Sequence, residues 1–94
     1  MTTKAEKRHL DRVAALGCIL CRYLGYGETP AEIHHIREGQ GGAQRSSHYL
    51  GVPLCPEHHR GNSGVHGLGI RAFYTRYCLS ELDLLVLTME ALFG

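Results

Sequence analysis

The sequence predicts one small α+β domain. Three observations carry this: a length of 94 residues, two short stretches of strand character either side of a glycine-rich segment, and helical periodicity concentrated toward the two ends. A chain this short buries only about 65% of the surface it exposes when unfolded. With aromatics at 7% and no Trp, its core is lean, which favours an added staple such as a bound metal. A hydrophobic fraction of 44% and a charged fraction of 20% are those of a globular protein and exclude a wholly disordered chain.

Residues 1–17 form an N-terminal helical segment. Leu10, Val13 and Ala14 share a stripe within Lys4–Leu16, Thr2 or Thr3 can cap its start, and Gly17 ends it. Residues 18–77 form the core of the domain. Cys18-Ile-Leu-Cys21 is a tight two-cysteine knuckle, and Gly25-Tyr-Gly-Glu-Thr-Pro30 is a turn. Ala31–Ile36 is a short strand, Arg37–Ser47 a loop containing three glycines, and Tyr49–Cys55 a second strand. Pro56 begins a helix carrying Glu57, His58, His59 and Arg60, which Gly61-Asn-Ser-Gly64 interrupts.

Helical spacing resumes near Leu68 with Ile70, Phe73, Tyr74 and Tyr77, and Cys78 falls on that stripe as a small buried hydrophobe. Residues 80–93 form the last helix. Ser80 and Asp83 make a capping box, and Leu82, Leu85, Val86, Met89, Leu92 and Phe93 make its apolar face, which closes the core.

The net charge of +1 hides an asymmetry: up to Ser80 the chain has ten Lys or Arg against six acids, and from Glu81 onward three acids and no base. No apolar run exceeds four residues, so neither a membrane span nor an export signal is expected, which points to the cytoplasm. In that setting four cysteines read as metal ligands rather than disulfides. Cys18-x-x-Cys21 and Cys55-x-x-His58, separated by 33 residues, offer three thiolates and an imidazole, the soft tetrahedral set that zinc prefers.

Of the remaining histidines, His9 is expected as solvated surface. His34, His35, His59 and His66 cluster just beyond the knuckles, with His48 between them, and such a group points to a second ion or to catalysis. Neighbouring residues on a strand face opposite ways, so His34 and His35 are expected in separate roles, without deciding which has which.

The combination of Cys-x-x-Cys, a His-His pair on a strand and Pro-Leu-Cys-x-x-His-His resembles the HNH nucleases of the ββα-metal class in a zinc-stapled form. More narrowly, His34-His-Ile-Arg-Glu-Gly-Gln-Gly-Gly-Ala-Gln-Arg45 and Val52-Pro-Leu-Cys-Pro-Glu-His-His-Arg-Gly-Asn-Ser-Gly-Val-His-Gly67 resemble the phage Ref recombination-enhancement nucleases, described as RecA-dependent. The resemblance covers Cys18 to about Tyr77. It implies a ββα-metal core with flanking helices and a metal-dependent endonuclease acting on DNA in a bacterial host cell, with a RecA filament as partner.

The resemblance further implies structural zinc on Cys18, Cys21, Cys55 and His58. A second divalent ion, magnesium, manganese or zinc, would sit on His34, His59 and His66, with His35 as general base and His48 as a further catalytic residue. Arg37, Gln44, Arg45 and Arg60 would contact nucleic acid.

Two departures from the HNH pattern stand out. Its second helix histidine would fall at Ser63, where this chain instead offers His66 beyond a glycine-rich insertion, with Gly64 and Gly67 supplying backbone freedom; His48 is the other candidate third ligand. Its middle asparagine falls at Leu50, with His48 or Asn62 as substitutes. Two other functions compete: a noncatalytic zinc module that binds nucleic acid or protein, and a cysteine-nucleophile hydrolase built on Cys78.

Overall fold

The computed structural model describes residues 2–36 and 47–94. Arg37, Gln44, Arg45 and the Gly39–Gly42 stretch lie outside the described residues.

Helix α1 spans Lys4–Ala15. Thr3 Oγ1 accepts the Glu6 N–H while the Glu6 carboxylate accepts the Thr3 N–H, a reciprocal cap that satisfies two otherwise unpaired donors. Its inward residue, Val13, is fully buried. His9 is not solvated surface: its ring packs on Tyr49 at 5.0 Å and its Nε2 is buried without a hydrogen-bond partner among the described residues. The expectation failed because it weighed the charged neighbours of His9 and not the turn that covers it.

The cysteine knuckle is a helical start. Cys18 is the N-cap of α2 (Ile19–Leu24), and its sulfur accepts the N–H of Cys21, so the cap itself draws the two side chains to one end of the helix. Strand β1 (Glu32–His35) pairs antiparallel with β2 (Gly51–Leu54), His34 opposite Val52 and His35 opposite Gly51. The second strand is shorter than its sequence predicts. Ser47 caps a single tight turn at His48–Leu50, and this turn, rather than a strand, carries His48 to the end of the sheet beside His35.

Helix α3 (Pro56–Arg60) follows with Cys55 as its N-cap and Pro56 in its first turn. The helix then breaks, and α4 (Val65–Leu68) and α5 (Ile70–Tyr77) follow, separated by Gly69 at φ 86°. The glycines near His66 do not serve backbone freedom. Gly64 has φ −103°, and a Cβ there would lie 2.5 Å from the Glu57 carbonyl oxygen, while one on Gly67 would overlap the carbonyl of Gly61. Both permit close approach of α4 to α3. Tyr77 Oη, donating to the Ser63 carbonyl at 2.8 Å, ties α5 to the same break.

Helix α6 (Glu81–Phe93) has the expected Ser80–Asp83 capping box, but its buried face is only partly the expected one, Leu85 packing against the core. Leu82, Val86 and Phe93 are 47%, 56% and 71% exposed, whereas Glu81, Leu84 and Thr88 are buried. That stripe recurs at the three- and four-residue spacing of a helix face, and Thr88 stays satisfied by donating to the Leu84 carbonyl at 2.8 Å. The apolar count along α6 missed this stripe because it ranked Glu81 and Thr88 as surface.

Cys78 is likewise exposed. It ends α5 in the left-handed region at φ 58°, which turns its side chain off the helical stripe, and Leu79 takes the buried place instead. The core of Leu20, Ile36, Val52, Leu54, Val65, Phe73 and Leu84 is continuous with Cys18, Cys21 and Cys55. No helix among the described residues is long and apolar enough to cross a membrane.

Candidate metal centre and histidine site

The ends of α2 and α3 bring Cys18, Cys21, Cys55 and His58 together as one buried group. His58 Nδ1 lies 3.7, 3.5 and 3.4 Å from the sulfurs of Cys18, Cys21 and Cys55, and the Cys21 and Cys55 sulfurs are 3.9 Å apart. Zinc bonds of ordinary length in a tetrahedron give edges of about 3.6 Å from sulfur to nitrogen and about 3.8 Å between sulfurs. The four donors therefore lie close enough to hold one metal ion.

Their protonation fits the same reading. Burial pushes the Cys18 thiol up to about 12 and holds the His58 imidazole below its ordinary range. Buried thiolates are costly without a cation and stable with one, and the imidazole is held in the neutral form that a metal takes. The group can hold a metal, and its donor chemistry is that of structural zinc.

The second group is set out by strand alternation. Glu32 and His34 point from one face of β1 toward α3, and Ile33 and His35 from the other. On the first face His34, His59 and His66 converge, offering ligand atoms within 4.8 Å of one another. Ring centroids are 5.1 Å apart for His34–His59 and for His34–His66, and 4.8 Å for His59–His66. His66 reaches this place because α4 packs so closely on α3.

Two carboxylates stand behind the trio. His34 Nε2 meets Glu81 Oε2 at 2.5 Å, with both side chains 2% exposed, and His59 Nδ1 meets Glu32 Oε1 at 2.6 Å. Arg60, through Nε at 2.8 Å and Nη2 at 3.1 Å, donates to the same Glu32 and with His59 holds its carboxyl below the usual range.

On the other face His35 Nε2 lies 3.0 Å from His48 Nδ1, and His48 Nε2 lies 3.4 Å from Thr2 Oγ1. Burial, followed by the neighbouring His48, holds His35 below the ordinary imidazole range.

The structure thus groups the candidate residues as four, three and two. It places His48 with His35 and not with the trio, and it leaves Asn62 out of both groups. Arg60 is half committed to Glu32. Sequence reasoning missed Glu32 and Glu81. Glu32 was readable, because a residue two before His34 on a strand shares its face. Glu81 carried one signal, its three- and seven-residue spacing from Leu84 and Thr88.

Fold and site together describe a small α+β protein built on a buried cysteine-histidine metal clamp with a three-histidine cluster beside it. The family model for recombination enhancement, RecA-dependent nuclease, matches residues 2–92, and the chain belongs to that family. The family is by its name a nuclease linked to RecA-dependent recombination. No curated protein matches the chain.

Proposed function

We propose that this protein is an HNH-type, metal-dependent endonuclease that hydrolyses DNA phosphodiester bonds, with zinc in the Cys18, Cys21, Cys55 and His58 clamp holding the fold. The observation that carries this reading is the division of the histidines across β1: a ligand trio on one face and a hydrogen-bonded pair, one member with a depressed pKa, on the other. Phosphodiester hydrolysis needs a cation site and a base that reach one phosphate, and His35 lies near enough to His34 and His59 to feel their charge.

His34, His59 and His66 would hold a divalent ion, which when bound neutralises charge on the phosphate being cleaved. Three imidazoles favour zinc or another transition ion over magnesium, which takes oxygen ligands, and magnesium, manganese and zinc are the ions to compare. His35, neutral at pH 7, takes the proton from the attacking water. When its Nε2–H donates to His48 Nδ1, the lone pair on His35 Nδ1 is left for that proton, and His48 in turn donates from Nε2 toward Thr2. His48 therefore fixes the tautomer of the base, in place of the HNH asparagine that Leu50 replaces.

Arg37, Gln44 and Arg45 supply phosphate contacts in this reading, and Arg60 joins them only by loosening its hold on Glu32. In this reading the substrate is DNA, with a RecA filament as partner in keeping with the family's name, in the cytoplasm of a bacterial host cell.

Nicking of supercoiled plasmid, with and without a RecA filament and across magnesium, manganese and zinc, tests the reading. His35→Ala is expected to keep both metal sites and lose about 10²–10⁴ in rate. A parent protein that binds one tight zinc per chain and cuts in none of these conditions supports a noncatalytic zinc module instead.

A further inference from the structure

Among the described residues Glu81 is the one buried acidic side chain, and nothing in the closing of the core calls for a carboxylate there. It stands at the first position of α6, on a stripe whose other members are Leu84 and Thr88. Removing a carboxylate from water is costly unless a charge or strong hydrogen bond compensates it. Two features do so: the N-terminal end of a 13-residue helix, whose dipole favours an anion, and the ring of His34 at 2.5 Å, 47 residues away in the chain.

We infer that Glu81 is a positioning residue for the ion site proposed above, holding the His34 ring so that it presents its other nitrogen to His59 and His66. The inference rests on that reading of the trio. A carboxylate accepting from Nε2–H fixes the tautomer, and the lone pair that His34 can offer an ion is then on Nδ1. The same construction recurs at His59, where Glu32 takes Nδ1 at 2.6 Å and leaves Nε2. His34 and His59 are thus each backed by a carboxylate on one ring nitrogen, which leaves the other for an ion.

The two supports differ in construction. Glu32 lies on the same strand as His34 and is shared with Arg60 near the surface, whereas Glu81 comes from the last helix and is buried with its partner. The C-terminal helix therefore does more than cover the core: it reaches through to the ion site and sets the geometry of one ligand. Pairing of this kind also raises the basicity of the ligand, and its loss typically weakens metal binding by about 10–100-fold.

The test is Co(II) titration, followed by calorimetry, of full-length protein whose Cys-His clamp is already zinc-loaded. Glu81→Ala is expected to bind Co(II) about 10–100-fold more weakly than the parent. Glu81→Gln, which keeps size and an acceptor oxygen, is expected to fall between them. Leu84→Ala serves as the structural control, losing thermal stability while keeping parent affinity for Co(II). The ¹⁵N shifts of His34 should report protonated Nε2 in the parent and in Glu81→Gln, and a mixture of tautomers in Glu81→Ala.

Parent-like Co(II) affinity in both Glu81 variants overturns the positioning role while leaving the nuclease reading intact. A parent that takes up no Co(II) beyond the clamp overturns the ion site itself and this inference with it.

Discussion

Replacing Cys21 by Ser removes one corner of the buried clamp. The Cys21 sulfur is 3.5 Å from His58 Nδ1 and 3.9 Å from the Cys55 sulfur, and its loss leaves the group one thiolate short. A structural zinc contributes on the order of 10–16 kcal/mol in small zinc domains, or about 2.5–4 kcal/mol for each of four ligands. A domain of this size has a total stability of about 5–15 kcal/mol. Since the clamp is continuous with Leu20, Val52 and Leu54, the loss falls on the whole core and not on a detachable lobe. A loss of about 3 kcal/mol lowers Tm by roughly 12 °C or more in a domain this small, and unfolds it where the margin is thin. Metal content by mass spectrometry and a melting curve followed by circular dichroism give the two readouts. Cys21→Ser with one tightly bound zinc per chain and an unchanged Tm would refute the clamp assignment.

Four further outcomes follow from the same geometry. Leu84→Ala should destabilise by about 2–5 kcal/mol in urea unfolding and Val86→Ala by no more than about 0.5, the reverse of what hydrophobicity along α6 implies; equal effects would reject the buried stripe. Gly67→Ala puts a methyl group against the Gly61 carbonyl and pushes α4 off α3, so it should abolish Co(II) binding by the trio while zinc stays in the clamp; retained Co(II) affinity would show that the close approach is not what places His66. Because burial lowers the pKa of His35, its neutral form persists below the ordinary value of 6.5, so cleavage should be flat near neutrality and fall only as pH drops through that lowered value; a midpoint at or above about 6.5 contradicts the assignment. The same shift makes folding lose stability as pH falls from about 6.5 toward the lowered pKa, since the unfolded chain takes up the proton first.

The sequence by itself determined the α+β class, the order of the principal elements and both pairs of the clamp, because each is local. Thr3 and Ser80 announce helix starts, Pro56 begins α3, and two-residue gaps place Cys18 with Cys21 and Cys55 with His58 on single turns. It also required His34 and His35 to part, since a strand alternates its faces. Which face met which partner was a tertiary decision. It depended on α4 packing against α3 through glycines with no side chain in the way, and on a tight turn that carried His48 to the far side of the sheet. The burial of α6 was decided in the same way. Periodicity ranks a helix face by its apolar content, but the face that turns inward is the one whose members find partners there, and Glu81 finds His34 across 47 residues of chain. A hydrogen bond between groups so far apart leaves no spacing in the sequence, so only the folded structure could reveal it.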